Sequence, residues 1–256
     1  MDCYTLDSTK VDVMRFYSIN ADIQSDFIKL EREEAHHARV RRLRENDKVS
    51  VINGKGLECT GHIHFCQSGE VYVKAQEIRQ IERASKRCIL GVAVPECRNT
   101  AALVIKSAVE LGITDLCLLI TRYSGFRKTG NVNKFMTRWK KIMISACKQS
   151  GRLWLPHLPN PMELNEFYSC VPHDIMICVG WEPGLSDSVN DLPHIENSGS
   201  DFAWVVGPEG GWSIEDQTVI REWKPLYIQF GSGTLTTAVA VIAGLAALKT
   251  RFDGWL

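Results

Sequence analysis

Hydrophobic and polar positions follow two different patterns along the chain. In the first third, short segments rich in β-branched and aromatic residues read as strands: MRFYSIN (14–20), DKVSVI (47–52), LECTGHIHF (57–65) and EVYVKAQEI (70–78). A charged segment, EREEAHHARVRRL (31–43), reads as a short helix, and Asn53-Gly54-Lys55-Gly56 carries the Asn-Gly signal of a hairpin turn. This part is expected to be a small β-barrel. From Cys88 onward the pattern changes to short apolar runs of the kind buried on both faces: CILGVAVP (88–95), DLCLLIT (115–121), IMICVGW (175–181), FAWVVG (202–207) and LYIQFG (226–231). Helical spacing fills the gaps at 99–111, 133–150, 214–223 and 235–250. Strands alternating with helices predict a mostly parallel sheet covered on both faces. The expected organisation is an α/β protein with a loose extension (1–13), a β-rich domain (14–80), a polar linker RQIERASKR (79–87) and a larger α/β domain (88–256).

In a parallel α/β fold, ligands sit beyond the carboxyl ends of the strands. Two predicted strands end there in glycine: VVGPEGGWS (205–213) and QFGSGTLTT (229–237). Such turns let a ligand approach the main chain. Neither a Walker pattern nor G-x-G-x-x-G is present, and Glu209 would repel phosphate, so a neutral or cationic ligand suits the first loop.

Composition changes this picture in two places. Formal net charge is zero over 256 residues, yet no Asp or Glu occurs between Leu116 and Met162, where Arg122, Arg127, Lys128, Lys134, Arg138, Lys140, Lys141, Lys148 and Arg152 all fall. Within that stretch Phe135, Trp139, Ile142, Met143 and Ala146 make a core stripe, and Lys134, Arg138, Lys141, Lys148 and Arg152 make a cationic one on another face, which suits a polyanion. The nine cysteines contain no CxxC pair, and Cys88, Cys117, Cys147 and Cys178 lie in apolar runs as reduced core residues. No apolar run reaches the roughly 18 to 20 residues of a membrane span, and Met1-Asp2-Cys3 does not open a signal peptide, so a soluble, cytoplasmic protein is expected. His36 and His37 are adjacent on a helix and point apart, and no metal site is expected.

Five segments, in order, resemble the RsmE family of ribosomal RNA uridine methyltransferases: EEAHHARVRRLRENDKV (33–49), KSAVELGITDL (106–116), RWKKIMISACKQSGR (138–152), VVGPEGGWSIED (205–216) and FGSGTLTTAVAVIAGLAAL (230–248). The resemblance implies a PUA-like N-terminal barrel and a C-terminal SPOUT domain tied in a trefoil knot. It also implies a homodimer that binds S-adenosylmethionine in the knot and methylates N3 of a uridine in small-subunit ribosomal RNA. The cofactor would be held by Val179, Gly180, Gly207, Pro208, Glu209, Gly210, Gly211, Phe230, Gly231, Leu235, Thr236 and Thr237. Thr237, Gln149 and Arg152 would be the catalytic set, and Arg15, Arg39, Arg42, Arg44, Lys106, Arg138 and Arg152 would contact RNA.

The chain also departs from that family. Where the last motif usually reads Leu-Arg-Thr-Glu-Thr-Ala, this sequence has Leu235-Thr236-Thr237-Ala238-Val239-Ala240. Arg122-Tyr123 replaces a usual Glu-Arg pair, Lys148 replaces a Glu, and Glu96 and Asn99 stand where basic residues are frequent. Two other readings therefore stand beside the first: a non-catalytic RNA-binding or ribosome-assembly scaffold, and a methyltransferase of a different RNA nucleotide. In a rewired site, Arg122 or Lys148 would supply the missing cation.

Overall fold

The structure, a computed structural model, describes residues 13–125, 132–182, 184–185 and 201–252. Residues 1–12, and with them nearly all of the expected extension, lie outside the described residues, as do Arg127 and Lys128 of the basic stretch. The chain forms two compact units: Met1–Arg83 with Cys147–Leu155, and Ala84–Ala146 with Pro156–Leu256.

The first unit is a five-stranded sheet. Strands β1 (Met14–Tyr17), β2 (Phe27–Lys29), β3 (Lys48–Ile52), β4 (Leu57–Phe65) and β5 (Val71–Gln80) lie in the order β1-β3-β4-β5-β2, and only β1 and β3 run parallel. Asn53 fixes the predicted β3–β4 turn, its Oδ1 accepting from the N–H of Lys55 at 2.7 Å and of Leu57 at 3.1 Å. Gly61 sits at a bulge against β5, where an added Cβ would lie 2.1 Å from the Lys74 carbonyl oxygen. The two edge strands meet through Ser18, whose Oγ donates to Lys29 O at 3.4 Å. Phe16, Val49, Val51, Cys59, Ile63 and Val73 form the core with Ala35 and Ala38 of helix α1 (Arg32–Val40).

Three features of this unit differ from expectation. Strand β2 is only three residues long, too short for a period to show. Strand β5 runs through Arg79 and Gln80, residues that composition assigns to the linker, because Arg79 Nε donates to the buried Glu58 carboxylate at 2.8 Å. The segment Cys147–Leu155 is held here by backbone hydrogen bonds of Gly56 N to Leu153 O and Leu155 N to Gly54 O, both 2.9 Å.

The second unit carries a six-stranded, wholly parallel sheet in the order β11-β9-β10-β6-β7-β8. Its strands are β6 (Cys88–Ala93), β7 (Asp115–Ile120), β8 (Met162–Glu163), β9 (Met176–Gly180), β10 (Phe202–Val206) and β11 (Leu226–Ile228). The helices are α2 (Arg98–Glu110), α3 (Val132–Ser150), α4 (Leu164–Cys170), α5 (Ile214–Glu222) and α6 (Thr237–Phe252), with the end of α3 counted in the first unit. The short pair β8 and α4 carries no periodic signal; Glu163 and Glu166 start α4 with a reciprocal capping box. Helix α6 packs on α2 and β10, and Gly244 makes room there for the fully buried Trp204 indole. Cysteine behaves as expected of core thiols: burial pushes Cys117 and Cys178 up to about 12 and Cys147 up to about 11.

Candidate functional site

At the carboxyl ends of β9, β10 and β11 lies a cavity of about 400 Å³. That is within the range of small-molecule sites, about 300–1,000 Å³. Three segments wall it: Gly180–Glu182, Trp204 with Val206–Trp212, and Ile228–Phe230 with Gly233–Thr237. Both glycine loops singled out in the sequence thus meet in one place.

The glycines of the first loop are required by the protein itself. An added Cβ at Gly207 would stand 2.9 Å from the Trp212 ring, and one at Gly210 would stand 3.0 Å from Tyr123 Cβ. Gly211 has φ +74°, and its Cβ would lie 2.6 Å from a Glu182 carboxylate oxygen. Three side chains therefore press on this backbone and shape the wall.

Helix α5 braces the loop from behind. Ser213 Oγ accepts from Asp216 N, and an Asp216 carboxylate oxygen accepts from Ser213 N, both at 3.1 Å. The same carboxylate accepts from Arg122 N at 3.4 Å, tying the end of β7 to the start of α5. Such caps contribute about 1 kcal/mol. Trp212 donates from Nε1 to Gly180 O at 3.0 Å and so joins the first two wall segments. Thr237, buried at the first turn of α6, donates from Oγ1 to Gly207 O at 3.4 Å and joins the third.

Of the twelve expected cofactor residues, Val179 and Gly231 are not on the wall. Val179 packs in the sheet's core with Val205 and Ala203, and Gly231 is an exposed turn residue at φ +78°. Sequence reasoning missed Trp181, Glu182, Trp204, Gln229 and Ala240, which also line the cavity. No single-chain signal marks them, because they reach the site only through the sheet order.

Of the expected catalytic set, only Thr237 lines the cavity. Gln149 is exposed at the end of α3 and Arg152 is half-buried, and both belong to the stretch held in the first unit. Among the RNA candidates, Arg42, Arg44 and Arg138 are exposed, and exposed Lys106 is 3.8 Å from Glu110 on the same helix. Arg39 donates to Gly69 O. Arg15 donates to Lys148 O at 2.7 Å and to Glu58 at 3.3 Å, so its guanidinium holds the first unit together. Lys148 is no spare cation either, since it pairs with Glu34 at 2.6 Å with both side chains largely buried. The expectation that Lys148 stands free on a cationic stripe, or replaces a lost charge at the cleft, is corrected accordingly.

Two exposed groups stand near the glycine loop. Tyr123 is 49% exposed beside Gly210. Cys97 precedes α2, and the N–H groups of Thr100 and Asn99 hold its thiol below the usual range, against the opposing charge of Glu209.

Residues 82–249 match the RNA methyltransferase domain family, and residues 30–74 match the RNA methyltransferase PUA domain. The chain belongs to this family of RNA methyltransferases. The ribosomal RNA small subunit methyltransferase E of Aquifex aeolicus is 26% identical to it over 238 residues, covering 91% of this chain and 97% of its own. The protein of the same name from Rickettsia conorii is 27% identical, covering 86% and 89%. A solved Legionella pneumophila structure, described as a methyltransferase in complex with the cofactor SAM, superposes with a TM-score of 0.80 at 25% identity and covers 93% of this chain and 97% of that one. The RsmE resemblance read from the five segments is thus borne out, as are a PUA-like N-terminal sheet and a parallel-sheet domain. No helix among the described residues is long and apolar enough to cross a membrane.

Proposed function

We propose that this protein is an S-adenosylmethionine-dependent methyltransferase of small-subunit ribosomal RNA, acting on N3 of a uridine in the cytoplasm. The cavity joining both glycine loops is the observation that carries this reading. It is roomy enough, its wall offers main-chain groups, and its only charged lining residues among those described are the acids Glu182 and Glu209. A cationic, adenosyl-bearing cofactor fits that donor set and a phosphate ligand does not. The names of the relatives and the bound cofactor of the Legionella protein point the same way.

Bound here, S-adenosylmethionine would supply an electrophilic methyl group; its transfer to N3 leaves the neutral thioether and releases the N3 proton. The protein's share is then positioning. Backbone of Gly207 to Gly211 and of Leu235 to Thr237 would hold the adenosyl and methionine parts, and Thr237 would fix the distance between these two loops. Arg42, Arg44, Lys106 and Arg138 would grip RNA phosphates, since exposed cations position a splayed-out base for chemistry.

The trefoil knot and the homodimer belong to the same proposal. β11 pairs with β9 at the sheet edge, yet α6, which follows at once, packs on α2 and β10. Residues 229–236 therefore lead from the sheet edge back to β10, which supports the knot reading; the connection 183–200 lies outside the described residues apart from Gly184 and Leu185.

The test is incorporation of labelled methyl groups from S-adenosylmethionine into small ribosomal subunits lacking the modification, with the product mapped by mass spectrometry. Methylated N3 of a single uridine supports the proposal; a different methylated nucleotide overturns the target. Cofactor binding without transfer would favour the scaffold reading, which the absence of any cation on the cavity wall among the described residues keeps in play.

A further inference from the structure

Glu182, a half-buried acid of the cavity wall, differs from Glu58, Glu34 and Asp115 in what surrounds it. Glu58, Glu34 and Asp115 each meet a cation, Arg79, Lys148 and Arg87 respectively. Glu182, like the exposed Glu209, meets none on the cavity wall, where no Lys, Arg or His lies among the described residues. The Glu182 carboxylate lies against the Gly211 backbone, its oxygens 2.6 and 2.7 Å from where a Cβ on Gly211 would stand. Next to it Trp181, 4% exposed and also part of the wall, keeps its indole Nε1 buried without an acceptor. A half-buried anion without a counter-charge costs free energy unless something cationic arrives.

We propose that Glu182 reads the charge of the cofactor, so that the cavity prefers the sulfonium S-adenosylmethionine over its neutral thioether product S-adenosylhomocysteine. The inference rests on the cofactor reading above and deepens it. The two ligands share the adenosine and the amino-acid group and differ by one methyl and one positive charge. Attraction between the Glu182 carboxylate and the sulfonium charge, in a partly desolvated wall, therefore favours one ligand over the other. Turnover would then weaken the ligand's hold and help the spent cofactor leave, with no conformational device required.

Calorimetric titration of the full chain with each ligand, for wild type and Glu182→Gln, tests this. Wild type is expected to bind S-adenosylmethionine roughly tenfold more tightly than S-adenosylhomocysteine, a factor that corresponds to about 1.4 kcal/mol. In Glu182→Gln that ratio should fall to about one through loss of S-adenosylmethionine affinity alone. Equal losses for both ligands would place Glu182 at the shared ammonium group and overturn the proposal, and an unchanged ratio overturns it too. Should the variant fail to fold, salt decides on the wild type: the preference should shrink as ionic strength rises, and a salt-independent ratio overturns the inference. If wild type binds neither ligand, the cofactor reading itself falls; if it binds both equally, only the charge-reading role does.

Discussion

In the first unit charged groups build the structure, whereas at the cavity of the second they stand unmatched. Glu58, 7% exposed, lies between Arg15 and Arg79; Lys148 closes on Glu34, and Lys29 on Glu70. Arg15 also ties the sheet to the end of α3 through Lys148 O. At the cavity, half-buried Glu182 and exposed Glu209 have no cation among the described lining residues. A charge buried with its partner is part of the scaffold, and removing either leaves the other exposed to the full cost of burial. A half-buried charge without one, such as Glu182, is available to a ligand.

The largest effect should come from breaking that contrast at its strongest point. Glu58→Ala leaves two partly exposed guanidinium groups without their shared carboxylate and should cost about 1–2 kcal/mol, read by urea unfolding. Glu182→Ala should change the stability of the ligand-free protein by less than about 0.5 kcal/mol. A comparable loss in both variants would erase the distinction between the two regions.

Gly211→Ala sharpens it from the backbone side. The new Cβ meets the Glu182 carboxylate at a residue with φ +74°, so strain of about 1–2 kcal/mol and a displaced Glu182 are expected together. S-adenosylmethionine affinity should drop at least about tenfold while the far-ultraviolet circular dichroism spectrum is retained. Unchanged affinity would show that the wall does not depend on this contact.

Thiol chemistry gives a smaller effect with a clear sign. Backbone N–H groups lower the Cys97 thiol from its usual value, so more thiolate is present at a given pH, while burial raises Cys117 and Cys178 to about 12. Near neutral pH, iodoacetamide followed by peptide mapping should label Cys97 first and leave Cys117 and Cys178 unmodified in the folded protein. Bound cofactor should slow the labelling if it covers the nearby glycine loop.

The smallest effect concerns His37. Burial, with Lys148 nearby, holds its imidazole below the usual histidine value. Folding therefore favours the neutral ring, and the unfolded chain binds the proton more readily. Stability from this group is present above the unfolded histidine value and is lost as pH falls through it toward the lower folded value. His37→Gln should flatten the decline in melting temperature between about pH 7 and 5; an unchanged slope would assign that decline to other groups.

Much of this protein was legible without a fold. The parallel strands were visible as apolar runs because a strand buried on both faces tolerates little else, and the core thiols followed from the same runs. The glycine loops were visible because only glycine permits such close backbone approach, and five ordered segments sufficed for the family. What the glycines admit was not legible: besides Trp212 of the same loop, the groups pressing on them are Tyr123 and Glu182, from other parts of the chain. Nor was the fate of the basic stripe. Spacing put Lys148 in line with Arg138, but charge alone cannot say which cation finds a partner 114 residues away in Glu34. Local pattern is set by neighbours in sequence, and those the sequence determined. Which charges are paired, and which are left for a ligand, depends on groups brought together by sheet order and chain reversal, and that only the tertiary structure decided.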